Sequence, residues 1–141
     1  MRGRLETEAF VSPSNTKTAP GGYGDVDFAV TYLRLRHQVV LPPGTNIVRQ
    51  IGALRSLGLV AEGDAEVLER GAAFLRSVDH AIRLATGRAA EGLPEHGGHA
   101  ESVHALARCW NLVAEGESLH AQLCEVQRQV RSVCRRLVGS E

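Results

Sequence analysis

Aromatic side chains are scarce in this chain: Phe, Trp and Tyr together make up 4% of its residues, with one Trp among them. A core with so few rings must be assembled from Leu, Val, Ile and Ala. That composition favours helix packing over a sheet sandwich, which draws more on aromatic and β-branched side chains. A net charge is also missing, since 16 basic residues face 16 acidic ones. Neither the basic excess of a general nucleic-acid binder nor that of a membrane-surface helix is present. Nucleic acid and membrane are therefore excluded as expected partners. Lysine is nearly absent (Lys17 alone, the remaining basic residues being Arg), and nothing functional follows from that bias.

The three cysteines, Cys109, Cys124 and Cys134, are odd in number and form no Cys-x-x-Cys. A disulfide framework is not expected, and a reducing, cytoplasmic setting is. No apolar run approaches the roughly 18 residues that span a bilayer. The start, Met1-Arg-Gly-Arg-Leu-Glu, holds no hydrophobic segment of the signal-peptide type.

What is present suits one domain: 141 residues, 43% of them apolar. Residues 1–20 read as a partial charged helix followed by a Pro- and Gly-containing linker, and 21–141 as a single helical bundle. From Gly24 to Val40 two apolar stripes run at helical spacing. One is Val26, Ala29/Val30, Leu33 and Val40, and the other Phe28, Tyr32, Leu35 and Val39. Two stripes predict a central helix contacted from two sides, ended by Pro42, Pro43 and Gly44. A second helix follows a Thr45 or Asn46 cap and runs to Leu57, with Gly58 just beyond it. A third begins near Asp64, read as its cap, and buries Val67, Leu68, Phe74, Leu75, Val78, Ile82 and Ala85 before Gly87. After a loop over 89–98, a short helix spans 101–111 with Val103, Leu106, Ala107 and Trp110 inward. In the last helix, Leu119, Leu123, Val126, Val130, Val133 and Leu137 recur at intervals of four and three, a bundle seam. No stretch alternates with period two. The expected fold is all-α: a helical bundle of four long helices and one short helix.

The chemistry-bearing segment is Lys17-Thr-Ala-Pro-Gly-Gly-Tyr-Gly-Asp-Val-Asp-Phe. Glycines before a helix let backbone approach a ligand, and the free amides of a helix start attract anions. Asp25 and Asp27 repel an anion unless Mg²⁺ lies between them. The plain alternative needs no ligand: glycines for a turn, Asp25 as a cap, Asp27 as a dipole partner. Gly-Gly followed by Asp-x-Asp superficially resembles the metal-binding core of nucleotidyltransferases, where the acids lie on a strand. Here they open a helix, so they are rejected as a two-metal catalytic site. His96, His99 and His104 with Glu95 and Glu101 match no standard metal spacing, and a solvated loop is the expectation there. Asp79-His80 reads as a packed histidine beside its carboxylate. The Arg cluster of Arg131, Arg135 and Arg136 reads as a helix end.

In order along the chain, Lys17-x-x-Pro20-Gly21-Gly22-x-x-Asp25-Val26-Asp27-Phe28-x-Val30 and Tyr32-Leu33-x-Leu35-Arg36-His37 resemble the Gly-Gly-x-x-Asp-Ile-Glu-Phe signature of bacterial glutamine synthetase adenylyltransferases. Asn46-Ile47-Val48 through Leu54-x-x-Leu57-Gly58-Leu59 resembles the family's next helix. Phe74-Leu75-Arg76-x-Val78-Asp79-His80-x-Ile82-Arg83-Leu84 resembles the one after it, and Leu93-Pro94 and Leu106-Ala107-Arg108 also fit. Asp27 replaces the family's Glu, Thr31 its Gln, and Ala19 its Gly. In that family, and in the PII-protein uridylyltransferases that share the module, the signature opens a helical domain following a nucleotidyltransferase domain.

The resemblance implies a parent enzyme that moves AMP from ATP to a tyrosine of glutamine synthetase, and removes it, using Mg²⁺ and answering to PII protein. This chain would be its regulatory and positioning helical domain, a fragment, split product or remnant in which the catalytic strand-turn motif is absent. Catalytic and metal-ligating residues are then none here. Gly21, Gly22, Asp25 and Asp27 would line the cleft toward the missing nucleotidyltransferase domain as nucleotide or interdomain contacts. The alternative is a standalone helical protein-interaction module without nucleotide chemistry.

Overall fold

In the computed structural model, residues 19–87, 93–94, 97–114 and 116–139 are described, and they form helices without any strand. There are five: α1 (Tyr23–Arg36), α2 (Ile47–Ser56), α3 (Glu62–Thr86), α4 (Gly97–Cys109) and α5 (Leu119–Gly139). The all-α bundle expected from the sequence is the fold found. Its shortest member is α2, with 10 residues, rather than the helix after the 89–98 loop. That helix, α4, starts at Gly97, four residues ahead of its expected start at Glu101. Residues 1–18 and the Glu95-His96 pair lie outside the described residues. Ala19 is buried and accepts a hydrogen bond from the Gly22 amide, so the packed structure already includes two residues assigned to the linker.

The 25-residue α3 is about 37 Å long, and every other helix packs against it. Its N-terminal half joins α1, α2 and the C-terminal half of α5 in one core around Val26, Val30, Ile51, Leu54, Leu68 and Val130. Its C-terminal half joins α4 and the start of α5 in a second core around Leu75, Val78, Ile82, Val103 and Leu123. Each fully buried aliphatic side chain contributes roughly 1.5–3 kcal/mol. Val126 touches both cores. The α3–α5 crossing is close because Gly71 carries no side chain: a Cβ there would lie 2.5 Å from a Val130 methyl.

Asp64 does not cap α3, which begins two residues earlier with Ala61 at the N-cap position. Its carboxylate instead meets Arg136 Nη2 at 2.9 Å, tying the start of α3 to the end of α5. Asn46 does cap α2, its side chain accepting the Arg49 amide at 2.9 Å.

Three helices end in the same way, by local backbone chemistry. In α2 the amides of Gly58 and Leu59 donate back to the carbonyls of Arg55 and Leu54, with Gly58 left-handed at φ 73°. Asn111 performs the same turn after α4 at φ 60°, and Gln38 after α1 at φ 55°. This motif strongly favours glycine, and Gln38 stops α1 at Arg36 before the Pro42-Pro43 pair is reached. Replacing Gln38 with Gly should relieve a left-handed penalty of roughly 1–2 kcal/mol, offset in part by the extra unfolded-state entropy of glycine. The expected net gain is about 0.5–1 kcal/mol, read as a melting temperature raised by a few degrees. A lowered melting temperature would contradict the role given to this turn.

Candidate functional site

Gly21 and Gly22 form a turn laid flat on α5. The Gly22 amide donates to the Ala19 carbonyl at 2.8 Å. Gly21 is left-handed, with φ 81°, and a Cβ at that position would stand 1.9 Å from the Gln127 carbonyl oxygen. No residue with a side chain fits so close to another backbone. Gly22 is the N-cap of α1, and a glycine offers no capping side chain. The acid three residues later supplies what is missing. Asp25 Oδ2 accepts the Gly21 amide at 2.6 Å, a capping-box arrangement reaching one residue further back than usual. The Asp25 carbonyl in turn accepts from the Cys134 thiol of α5 at 3.5 Å. Asp25 is only 8% exposed.

Asp27 is different. Two residues on a helix are rotated by about 200°, so the two carboxylates leave α1 on opposite faces. Asp27 is exposed and lies beyond the first turn, in which Asp25 is the acid. The pair expected together in that turn is thus split by the helix beginning at Tyr23. Asp25 and Asp27 do not fit one metal ion. Among the described residues no group of three or more His, Cys, Asp or Glu is placed to hold one. His99 and Glu101 are exposed on α4, apart from any such group.

The second segment meets the first. Arg76 of α3 donates from Nη2 to the Tyr23 hydroxyl at 3.1 Å, its guanidinium 5.6 Å from the ring centroid. One turn further along α3, His80 stacks on Trp110, with centroids 5.8 Å apart and planes 29° off parallel. Two contacts one turn apart on α3 thus reach Tyr23 at the start of α1 and Trp110 just beyond α4. His80 is exposed, and its neighbour Asp79 pairs with Arg83 at 3.0 Å instead. His80 is thus not buried, and the group it meets is the Trp110 ring. Trp110, expected inward, is 38% exposed and stacks on His80. Two members of the arrangement were not marked by the sequence. Tyr23 occupies a variable position of the signature, and Gln127 seats the glycine turn. The available signal for Gln127 was a polar residue inside an apolar seam, where it is in fact buried.

The two segments that the structure joins are those on which the family resemblance rests. The profile of the GlnD PII-uridylyltransferase family matches residues 1–138. The chain belongs to that family. It is 32% identical over 127 residues to the bifunctional glutamine synthetase adenylyltransferase/adenylyl-removing enzyme of Rhodopseudomonas palustris (strain BisB5), covering 89% of this chain and 12% of the relative. The enzyme of the same name from Mycolicibacterium smegmatis is 32% identical over 128 residues, covering 89% and 13%. That of Mycobacterium leprae (strain TN) is 27% identical over 146 residues, covering 99% and 14%. The chain thus spans roughly an eighth of the length of the curated relatives it matches. No solved structure matches it.

Among the described residues, part of one α1 face that the sequence pattern makes apolar is open. The first α1 stripe is buried at Val26, Ala29, Val30 and Leu33, but its last member, Val40, lies beyond the helix end and is 89% exposed. The second stripe is divided: Tyr32 and Val39 are partly buried against the first core, while Phe28 is 36% exposed and Leu35 75%. Asp27 and Thr31 share that open side with them. Among the described residues, α1 packs on α2, α3 and α5 and stays open at Phe28 and Leu35. No helix among the described residues is long and apolar enough to cross a membrane.

Proposed function

We propose that this chain is the helical positioning domain of a glutamine synthetase adenylyltransferase, and that a nucleotidyltransferase domain docks on the open side of α1. The observation that carries this is the exposed part of the second stripe, Phe28 and Leu35 one heptad apart and flanked by Asp27 and Thr31. An isolated exposed apolar residue is ordinary, but an apolar row following helical period suggests an interface. Coverage of only 12% of the first relative is consistent with a neighbouring domain being supplied elsewhere.

In this reading Gly21, Gly22 and Asp25 set the position of the α1 start, and Asp27 makes contact with the partner domain or its nucleotide. The carboxylates that would hold Mg²⁺ and the groups that bind ATP belong to the partner, since Asp25 is committed to the Gly21 amide. Glutamine synthetase is the substrate protein, and PII protein the source of regulation.

The test is adenylyl transfer from labelled ATP with Mg²⁺ to glutamine synthetase. It compares this chain, a nucleotidyltransferase domain from the same genome, and both together. The chain alone should transfer nothing. Together the rate should exceed that of the partner domain alone by at least about tenfold, well within what correct placement of reacting groups supplies. Transfer by the chain alone, or an unchanged rate on mixing, would contradict the proposal and favour an interaction module without nucleotide chemistry.

A further inference from the structure

His120 and Cys124 stand one turn apart on α5, and His120 Nε2 lies 3.7 Å from the Cys124 sulfur. Residues four apart share a helix face. Both side chains are exposed, while Leu119 and Leu123, each one residue before them, are buried in the second core. The backbone that spaces the pair is therefore held by the fold, and both polar heads remain open to solvent. The other two cysteines are placed differently. Cys134 is buried and donates to the Asp25 carbonyl, and Cys109 is exposed at the end of α4.

The kind of donor and the spacing point to one class of ligand. Imidazole nitrogen and thiolate sulfur are the donors that zinc takes in proteins, at about 2.0–2.1 Å and about 2.3 Å. An ion at those two distances from donors 3.7 Å apart sees them under an angle of about 115°, close to the tetrahedral value of about 109°. The pair is thus spaced as two corners of a tetrahedron. Sulfur selects against Mg²⁺ and Ca²⁺, which take oxygen.

We infer that His120 and Cys124 form a two-residue site for a zinc-type divalent cation, with water filling the remaining positions. His120 binds through Nε2 as the tautomer that keeps its proton on Nδ1. Cys124 gives an electron pair of its sulfur to the ion and releases the thiol proton to solvent, and nothing is oxidised or reduced. Among the described residues no third His, Cys, Asp or Glu joins the pair, so binding is moderate. The inference is independent of the docking face proposed on α1 and of any Mg²⁺ held by a partner domain.

The test titrates zinc into the reduced, metal-free full chain. Two donors supply about half the binding free energy of a four-donor structural site, so the Kd should be on the order of 10 μM. Cobalt(II), a coloured stand-in, should give thiolate-to-cobalt charge-transfer absorption that zinc removes and a large excess of Mg²⁺ does not. Cys124→Ser should abolish that absorption and weaken zinc at least about tenfold. His120→Gln should weaken zinc to a similar degree while the absorption returns at saturating cobalt. Cys109→Ser and His99→Gln should change neither reading. All four positions are exposed, so the circular dichroism of each variant should match that of the parent chain. Absorption that survives Cys124→Ser or disappears with Cys109→Ser would overturn the inference, as would the absence of zinc binding below about 1 mM. Unchanged zinc affinity in both Cys124→Ser and His120→Gln would also overturn it, leaving the contact a plain S–H···N hydrogen bond.

Discussion

Val130→Asp is expected to unfold the domain or to lower its melting temperature by well over 10 °C. Val130 has no exposed surface and lies where α3 and α5 come closest. One of its methyl groups occupies the notch left by Gly71, 2.5 Å from where a Cβ would stand. A carboxylate there has apolar neighbours, including Val126 and Ala72 of the same core. Leaving a buried charge without a partner costs several kcal/mol, against a total stability of roughly 5–15 kcal/mol for a domain. Val130→Ala, which only removes methyl groups, should cost about 1–3 kcal/mol by comparison. A circular-dichroism melt distinguishes the two. An unchanged melting temperature in the Asp variant would mean that α5 does not present this face to α3.

Gly21→Ala has the next largest expected effect, and Gly44 provides its control. Both glycines have φ 81°, so alanine is strained at either one by roughly 1–2 kcal/mol. Around Gly44 a Cβ would meet nothing within 4 Å, whereas at Gly21 it would stand 1.9 Å from the Gln127 carbonyl oxygen. A backbone oxygen in mid-helix cannot rotate aside, so the turn must lift from α5. Lifting it also endangers the bond from the Gly21 amide to Asp25 and the contact of Cys134 with the Asp25 carbonyl. Gly44→Ala should cost about 1 kcal/mol and Gly21→Ala at least twice that. In the Gly21 variant, amide exchange should accelerate from Gly21 to Val26. Equal melting temperatures for the two variants would show that the turn does not rest on α5.

The parts of this fold that could be read from sequence are those governed by a single periodicity. The α5 seam is one, with Leu119, Leu123, Val130 and Val133 all buried. The first stripe of α1 is another as far as Leu33, past which Val40 is exposed. What escaped the pattern depended on tertiary neighbours or on one residue's backbone. Gln38 ends α1 in a left-handed turn that glycine usually supplies, so the stop at Pro42 looked stronger than it was. Asp64 looked like a cap and serves as an ion-pair partner, because Arg136 is brought to it from the far end of the chain. Periodicity marked Phe28 and Leu35 as apolar but not that they lie exposed.

For the candidate site, the glycine pair and Asp25 were found by motif, while the division of labour between the two acids was not. A helix that starts at Tyr23 sends Asp25 inward to the Gly21 amide and Asp27 to the surface. The contacts of Arg76 with Tyr23 and of His80 with Trp110 join residues 53 and 30 positions apart, which no local pattern can pair.

Docking at α1 is tested most directly by measuring affinity for a nucleotidyltransferase domain from the same genome with Phe28→Glu and Leu35→Glu introduced together. Both side chains are exposed in the chain alone, so its melting temperature should stay within a few degrees. At the centre of an interface two such replacements together should weaken binding by at least about 100-fold. Undiminished binding by the doubly substituted chain would contradict the account and place the partner on another face.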